Sequence, residues 1–347
     1  MIDLNNLEEI KNLDPKDVYG STGMFANQCK QMFDTYFNVD FFTPEYKQIK
    51  NIVVCGMGGS AYGGYIASTL YQEELKVPLV SLNDYHLPGF VGKDSLVILV
   101  SYSGSTEEVL SCYEEAVKKS AKIAGFSGGG KLGELLKDKY PGFTFNPKFN
   151  PSGQPRLGTG YIVMGTLALL KNLGVIEIKN DEVLKAIDEV RNSQEEIKNK
   201  AIELAQKIQG YIPVIFASQH LVGNAHILRN QFNETSKSFS AFEDIPELNH
   251  HLMEGLKNPK DKKLMSLFIT SDHYSEKHAK RVKLTEDVIK QNGVDFVEYK
   301  PSGSSKLSEV LNTLSFGGYI TLYLALLYGQ DPSVIPWVDY FKQKLAQ

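Results

Sequence analysis

Short apolar runs alternate along the chain with longer amphipathic stretches. In the first half, the runs that have the length of buried strands are 51–55, 77–80, 96–100 and 122–126. Patterns with helical spacing lie between them at 106–119 and 131–137, and the pattern of residues 1–48 is largely that of amphipathic helices. This rhythm predicts a parallel sheet that is covered by helices on both faces.

The same alternation returns in the second half. Residues 181–209 are rich in charge with apolar positions at helical spacing, so we expect a connecting helix or helical pair. Further strand-like runs follow at 211–217, 265–269 and 294–298, and a helix after the first of them extends to Glu234. We therefore predict an α/β protein of two doubly wound, flavodoxin-like halves. Residues 1–180 hold the N-terminal helical segment and the first sheet, and residues 181–347 hold the linker helix, the second sheet and the C-terminal helices.

Composition narrows the class of protein. The 347 residues include 37 basic and 41 acidic side chains without a basic patch, which argues against nucleic-acid binding. No stretch approaches the about 18 apolar residues of a membrane span, and no signal pattern opens the chain. The three cysteines have no metal-type spacing. We expect a cytoplasmic protein with no metal ion, no membrane and no nucleic-acid partner.

Near the C-terminus, Tyr323, Tyr328 and Trp337 lie among apolar residues, which predicts packing in the core.

Two loops rich in glycine and small hydroxyl residues follow neighbouring strands. Gly56-Met-Gly-Gly-Ser60 ends the first strand, and Ser101-Tyr-Ser-Gly-Ser-Thr106 ends the strand at 96–100. Ligands of open parallel sheets bind beyond the carboxyl ends of the strands, where helix N-termini favour anions. Such residues are also ordinary in turns and at helix starts. Two such loops together predict a phosphate monoester site, with the ligand residues Gly59, Ser60, Ser101, Ser103 and Thr106.

Nucleotide cofactors do not fit these loops. The glycines at 56–59 do not follow the spacing G-x-G-x-x-G, and the terminal Gly-Lys-Ser/Thr of a P-loop is absent from the sequence there. We therefore predict a protein that uses no cofactor.

The loop sequences resemble a known domain. "GMGGSA" at 56–61 followed by "SYSGST" at 101–106 is similar to the sugar isomerase (SIS) domain, a phosphosugar-binding α/β unit. "QPRLGTGY" at 154–161, "NETSK" at 233–237 and "ELNHHLMEG" at 247–255 resemble, in that order, the bifunctional phosphoglucose/phosphomannose isomerases. The resemblance extends from about residue 50 to the C-terminus.

The resemblance implies interconversion of glucose 6-phosphate and fructose 6-phosphate, and of mannose 6-phosphate, through a cis-enediolate. Glu234 matches the family's general base, which moves a proton between C2 and C1 of the sugar. Arg156 matches the arginine that stabilises the enediolate. His250 matches the ring-opening acid, which the family takes from the partner subunit, so a homodimer is implied. Lys342 matches a lysine that assists ring opening.

Three positions leave alternatives open. The family has asparagine after the ring-opening histidine, whereas this chain has His251, so either ring is a candidate acid, with His250 favoured by motif register. Lys344 lies close to Lys342 in the sequence and is an alternative candidate for the same role. Ser333, in a turn-like sequence, matches the small hydroxyl residue that the resemblance associates with tolerance of both C2 epimers.

Other members of the superfamily fit less well. A glucosamine-phosphate synthase would have a cysteine after Met1, where Ile2 stands. A sugar-phosphate-sensing regulator would carry a basic helix-turn-helix domain, which residues 1–48 do not resemble, and a phosphoheptose isomerase would be a single shorter domain. A non-catalytic phosphosugar-binding or sensing protein remains the alternative. The joint presence of Glu234 and His250 favours an enzyme.

Overall fold

The first half is built on a five-stranded parallel sheet. In the computed structural model, which describes residues 2–345, its strands follow the order β2-β1-β3-β4-β5. Their bounds are β1 Asn51–Cys55, β2 Leu79–Leu82, β3 Ser95–Ser101, β4 Lys122–Ser127 and β5 Gly142–Thr144. All neighbouring pairs are parallel. The sheet has the strand order of flavodoxin-like folds, with a switch point between β1 and β3.

The second half repeats this arrangement with four parallel strands in the order β7-β6-β8-β9. Their bounds are β6 Ile212–Ser218, β7 Ala241–Ile245, β8 Leu264–Ile269 and β9 Asp295–Tyr299. Its switch point lies between β6 and β8. The predicted fold of two doubly wound parallel-sheet halves is confirmed, while the division of the chain at residue 180 stays a prediction.

Fourteen α-helices cover the two sheets and connect them within the described residues. Those of the first half are α1 Leu7–Leu13, α2 Val18–Gly23, α3 Phe25–Tyr36, α4 Tyr62–Leu70, α5 Glu107–Lys118, α6 Gly130–Lys139 and α7 Thr159–Leu173. Those that follow are α8 Asn180–Asn192, α9 Gln194–Ile208, α10 Val222–Glu234, α11 Leu252–Gly255, α12 Glu276–Gln291, α13 Lys306–Leu327 and α14 Pro336–Leu345. The helical pair expected at 181–209 is therefore α8 and α9.

The core lies between the sheets and two long apolar helices. Every residue of β3 is buried, because helices cover both of its faces. In α7 and α13 nearly all side chains are buried. Length and hydropathy would allow α13 to cross a membrane, but 89% of its most apolar window is buried inside the protein, as in a core helix. Both helices begin close to the carboxyl edges of the strands, where they bring charged residues toward the loops.

Three details differ from the sequence-based expectations. Strand β2 is shifted from 77–80 to Leu79–Leu82, because pairing with β1 starts at Leu79, and as an edge strand it includes the half-buried Ser81. The short strands β5 and β7 gave no apolar run long enough to detect. Tyr323 is buried as expected, but Tyr328 is partly exposed and Trp337 is 81% exposed, so core packing is wrong for these two. Trp337 belongs to α14, a helix at the protein surface whose apolar side chains stay exposed.

Candidate active site

A buried arginine and a carboxylate meet between the two halves. Glu234 is the last residue of α10, and Arg156 lies in a 3₁₀ turn, Pro155–Leu157, just before α7. The Arg156 Nη1 atom is 3.5 Å from Glu234 Oε1. The arginine side chain is 3% exposed, whereas that of Glu234 is 28% exposed and so accessible to a ligand. The structure therefore brings together two residues that lie 78 positions apart in the sequence.

Arg156 is held in place by further hydrogen bonds. Its Nη2 atom donates to the backbone carbonyls of Pro332 and Ser333, each at 2.8 Å, and Nη1 donates to Gln154 Oε1 at 3.1 Å. The planar guanidinium fork allows these contacts to be made at once. Arg156 thus fixes the segment that connects α13 with α14 beside Glu234.

Lys237, the last residue of the motif "NETSK", is a second cation of this site, and its role is not evident from the sequence alone. It has a left-handed backbone with φ of 53°, an unusual conformation for a residue with a side chain. Its Nζ atom donates to the carbonyl of Thr235 at 3.0 Å and to that of Asp331 at 2.6 Å. Burial, with the charge of Arg156, lowers the pKa of Lys237 to about 8.

The surroundings of Glu234 suit a group that accepts and returns a proton. Burial raises the pKa of the Glu234 carboxyl above its usual value, while the charges of Arg156, Lys342 and Lys237 act in the opposite direction. A carboxylate whose pKa lies closer to the operating pH transfers protons more effectively than an ordinary surface carboxylate. Lys342, on α14, is exposed and near enough to act on Glu234 through its charge.

A cavity of about 1000 Å³ opens beside Glu234. Apolar side chains of α14 and of the chain after α10 line one part of it, among them Trp337, Val338 and Phe239. Glu234, Lys237 and Gly58 line another part. Ser333 is buried next to this cavity, with its hydroxyl donating to Asp331 Oδ1 at 2.7 Å. Such a cavity is large enough for a small polar ligand that touches the carboxylate.

The glycine-rich loop after β1 packs directly against the arginine. A Cβ atom added to Gly59 would lie 3.1 Å from the Arg156 Cα, so a side chain there would press on the turn that holds the guanidinium. Ser60 is buried, and its hydroxyl accepts a hydrogen bond from the Tyr102 N–H at 3.0 Å. The two predicted ligand loops are therefore joined to each other and to Arg156.

The loop after β3 is shaped by its own hydroxyls. Ser101 Oγ accepts from the Gly104 N–H at 2.9 Å and lies 2.8 Å from Thr106 Oγ1. Gly104 has φ of 74°, and an added Cβ atom would collide with the carbonyl of Gly129, so only glycine fits. Ser103 is exposed. No side chain caps the start of α5 at Thr106, which leaves the first N–H groups of that helix available to an anion.

His250 is not among the residues that line the cavity beside Glu234. His250 ends a 3₁₀ turn, Glu247–His250, that follows β7, and it is exposed. Among residues 2–345 it has no hydrogen-bond or ion-pair partner. His251 Nε2 lies 3.9 Å from Glu247 Oε1 and is also exposed. The choice between these two rings stays open.

Comparisons with known proteins agree with this architecture. The family described as bacterial phospho-glucose isomerase C-terminal SIS domain matches residues 197–345. A bifunctional phosphoglucose/phosphomannose isomerase of Caldicellulosiruptor bescii is 34% identical over 318 residues, which cover 87% of this chain and 91% of that protein. One from Aquifex aeolicus is 33% identical over 337 residues, covering 96% and 99%.

A solved structure shows the same fold. The C-terminal domain of glucosamine-fructose-6-phosphate aminotransferase from Francisella tularensis has a TM-score of 0.69, at 12% identity, and the match covers 91% of this chain and 97% of that one. Together with the fold, the family model and these relatives define the class, a phosphosugar isomerase built from two SIS-type halves. Within that class, the chain belongs to the bifunctional phosphoglucose/phosphomannose isomerase family, which confirms the resemblance seen in the sequence. It is an isomerase.

Proposed function

We propose that this isomerase interconverts glucose 6-phosphate and fructose 6-phosphate in the cytoplasm, with mannose 6-phosphate as a further substrate. The single observation that carries the proposal is the partly exposed Glu234 carboxylate, which lies beside the buried Arg156 at the edge of a cavity. Glu234 takes the proton from C2 of the open-chain sugar and returns it to C1. Arg156 stabilises the negative charge that develops on the enediolate oxygens, and its existing contacts keep it from having to reorganise during the reaction.

The phosphate group of the substrate is assigned to the joined loops of the first half. Gly59 allows close approach of the backbone, while Ser60, Ser101, Ser103 and Thr106 supply or orient hydroxyl groups. Ser60 and Ser101 are buried and organise the loop, whereas Ser103 and the uncapped start of α5 are the directly accessible donors. Hydroxyl and N–H donors suffice for a phosphate at such a helix N-terminus.

Ring opening is assigned to His250 of a second chain. His250 is exposed and does not line the cavity beside Glu234 of its own chain, which agrees with a homodimer in which the ring completes the neighbouring site. Lys342 assists from α14. Ser333, whose backbone carbonyl accepts a hydrogen bond from Arg156, is assigned to the region of C2 and so to epimer choice.

One experiment tests the whole proposal. Purified protein treated with a chelator is equilibrated with fructose 6-phosphate, and glucose 6-phosphate and mannose 6-phosphate are measured separately by NMR. Both products are expected. Glucose 6-phosphate alone would restrict the activity to one epimer.

The alternative, a non-catalytic phosphosugar-binding or sensing protein, predicts a different result. Such a protein would form neither product while still binding fructose 6-phosphate. The Glu234→Gln variant is the matched control, because it keeps the shape of the site and removes the base. Product formation that persists in this variant would overturn the role of Glu234.

A further inference from the structure

The second half has its own crevice at the switch point of its sheet. His220 lies in the 3₁₀ turn Gln219–Leu221 directly after β6, and Ser271 and His273 follow β8. These are the positions that the phosphate loops occupy after β1 and β3 in the first half, since the four shared strands have the same order in both sheets. By topology, an oxyanion ligand of the second half would bind here.

A carboxylate of the same chain already occupies this crevice. Glu309, in the first turn of α13, is 2% exposed. His220 Nε2 lies 2.8 Å from Glu309 Oε2, Ser271 Oγ donates to the same oxygen, and His273 Nδ1 lies 3.0 Å from Oε1. Two rings and one hydroxyl therefore converge on one buried carboxyl group.

The group has the properties of an ionised carboxylate that accepts hydrogen bonds. Although burial opposes ionisation, the hydrogen bonds from His220 and Ser271 and the contact with His273 hold the pKa of Glu309 below its usual value. A metal ion does not explain the cluster, because no group of three or more His, Cys, Asp or Glu residues among the described residues is arranged to hold one. His220 and Ser271 hydrogen-bond the carboxylate directly, and His273 lies in ionic contact with it.

Hydrogen bonds connect the loops around this crevice, as they connect the loops of the first half. The N–H of Ser218 donates to the Tyr274 hydroxyl at 3.0 Å, and that hydroxyl donates to the carbonyl of Ile269 at 2.9 Å. The N–H of Ser275 donates to Gln219 Oε1 at 2.8 Å. The loop after β6 is thus tied to the loop after β8, as Ser60 ties the corresponding loops of the first half.

We propose that the second crevice is a self-liganded oxyanion site, in which Glu309 accepts the hydrogen bonds that an external phosphate or carboxylate would otherwise accept. Each chain then binds sugar phosphate in its first half alone. The negative charge of Glu309 also repels a second anion from this crevice. The same contacts attach the start of the core helix α13 to the carboxyl edge of the second sheet.

The test removes the Glu309 side chain and adds acetate in solution, because acetate resembles the carboxylate group that is lost. Glu309→Ala deletes an acetate-sized group, and we expect the thermal midpoint to fall by about 5 °C or more, because the buried His220 and the partly buried Ser271 lose their hydrogen-bond partner and His273 loses its ionic contact. Potassium acetate, compared with potassium chloride at equal ionic strength, should restore part of this loss. Potassium phosphate in the same comparison shows whether the crevice also admits a larger oxyanion.

Control variants distinguish specific binding of acetate in the emptied crevice from general effects of salts on thermal stability. Glu286→Ala removes another buried carboxylate of the second half, one that pairs with Lys283 at 2.8 Å outside the crevice. Acetate must stabilise Glu309→Ala more than it stabilises Glu286→Ala or the unmodified chain. Equal effects on all three folded proteins would overturn the proposal. If Glu309→Ala fails to fold, Glu309→Gln decides, because a midpoint equal to that of the unmodified chain would show that the donors do not require a carboxylate.

A second measurement counts ligands and rests on the proposed function. Titration calorimetry of the Glu234→Gln variant with fructose 6-phosphate should give one molecule bound per chain, and two would overturn the proposal. No binding would contradict the proposed function instead, while the acetate comparison would still decide the fate of the second crevice.

Discussion

The two halves share a topology, but opposite charges lie at the start of the helix that follows the last strand of each sheet. Arg156 lies directly before α7, and Glu309 lies in the first turn of α13. The two helices are equivalent, because each follows the last strand of its sheet and packs against the helix after the first strand, α4 or α10. Arg156 reaches across to Glu234 of the other half, whereas Glu309 is bound entirely by loops of its own half.

This difference shows how one sheet topology can be used in two ways. In the first half the loops stay open toward solvent and a cation stands next to them. In the second half the corresponding loops are closed by an anion that belongs to the chain. On the proposed assignments, the duplicated fold provides one reactive site between its halves and one filled crevice, and a few side chains determine the difference.

Neutralising the two carboxylates gives the largest expected contrast. Glu234→Gln should lower kcat by about 10²- to 10⁴-fold with KM nearly unchanged, because the amide keeps the shape of the site and loses the base. Glu309→Gln should leave kcat per folded chain close to that of the unmodified protein. Steady-state kinetics with fructose 6-phosphate measures both. A comparable loss of kcat in the two variants would remove the functional distinction between the halves.

Arg156→Lys tests whether the first half needs the guanidinium fork or only a positive charge. An ammonium group cannot contact Glu234 and the carbonyls of Pro332 and Ser333 at once, so kcat/KM should fall by about 10²-fold. Circular dichroism checks that the variant is folded. Near-normal kcat/KM in Arg156→Lys would mean that charge alone is sufficient.

The pH profile isolates Lys237. Since the pKa of Lys237 is lowered to about 8, the site loses a cation beside Glu234 above that pH, and kcat/KM should fall there by up to about tenfold per pH unit. In Lys237→Arg the charge persists, so this alkaline fall should move upward by a unit or more. An unchanged profile in Lys237→Arg would exclude Lys237 as the titrating group.

The same shift of pKa has a signature in stability. Unfolding restores the ordinary pKa of Lys237, 10.5, so the unfolded chain binds more protons than the folded chain between about pH 8 and that value. The contribution of Lys237 to the free energy of unfolding therefore rises with pH across this window. Denaturant unfolding of the unmodified chain and of Lys237→Met at pH 7.5 and 9.5 measures it, and a difference that falls with pH would contradict the lowered pKa.

Substitutions in the two sets of loops give the smallest expected effects. Thr106→Ala should raise KM about fivefold with little change in kcat, as expected for one hydrogen bond near the phosphate. Ser271→Ala, at the corresponding edge of the second sheet, should lower the thermal midpoint and leave KM unaltered. A rise of KM in Ser271→Ala would mean that the second crevice takes part in substrate binding.

Local patterns allowed much of this molecule to be predicted from its sequence. The apolar runs predicted most of the strands, and the glycine and serine loops at their ends predicted a phosphate site, because strand and turn formation depend on neighbouring residues. Glu234 and Arg156 were assigned by resemblance, and the structure brings them within 3.5 Å. The phosphate-binding, His250 and Lys342 assignments stay predictions.

What the sequence did not reveal depends on distant contacts. The contact of Arg156 with Pro332 and Ser333 spans more than 170 positions, and the interaction of His220 with Glu309 spans 89. Nothing in the local sequence distinguishes Lys237, since its environment depends on Asp331 and Arg156, which are distant in the sequence. Trp337 looked like a core residue because its neighbours are apolar, but nothing in the described part of the chain covers it.

The carbonyls of Asp331, Pro332 and Ser333 are all bound by the two cations beside Glu234. A displacement of α14 would therefore be transmitted through a few hydrogen bonds to the proposed catalytic residues. For protein engineering this makes the two ends of the chain unequal. An affinity tag or fusion partner placed after α14 will disturb turnover, whereas one placed ahead of α1 is the safer choice for preparing the enzyme.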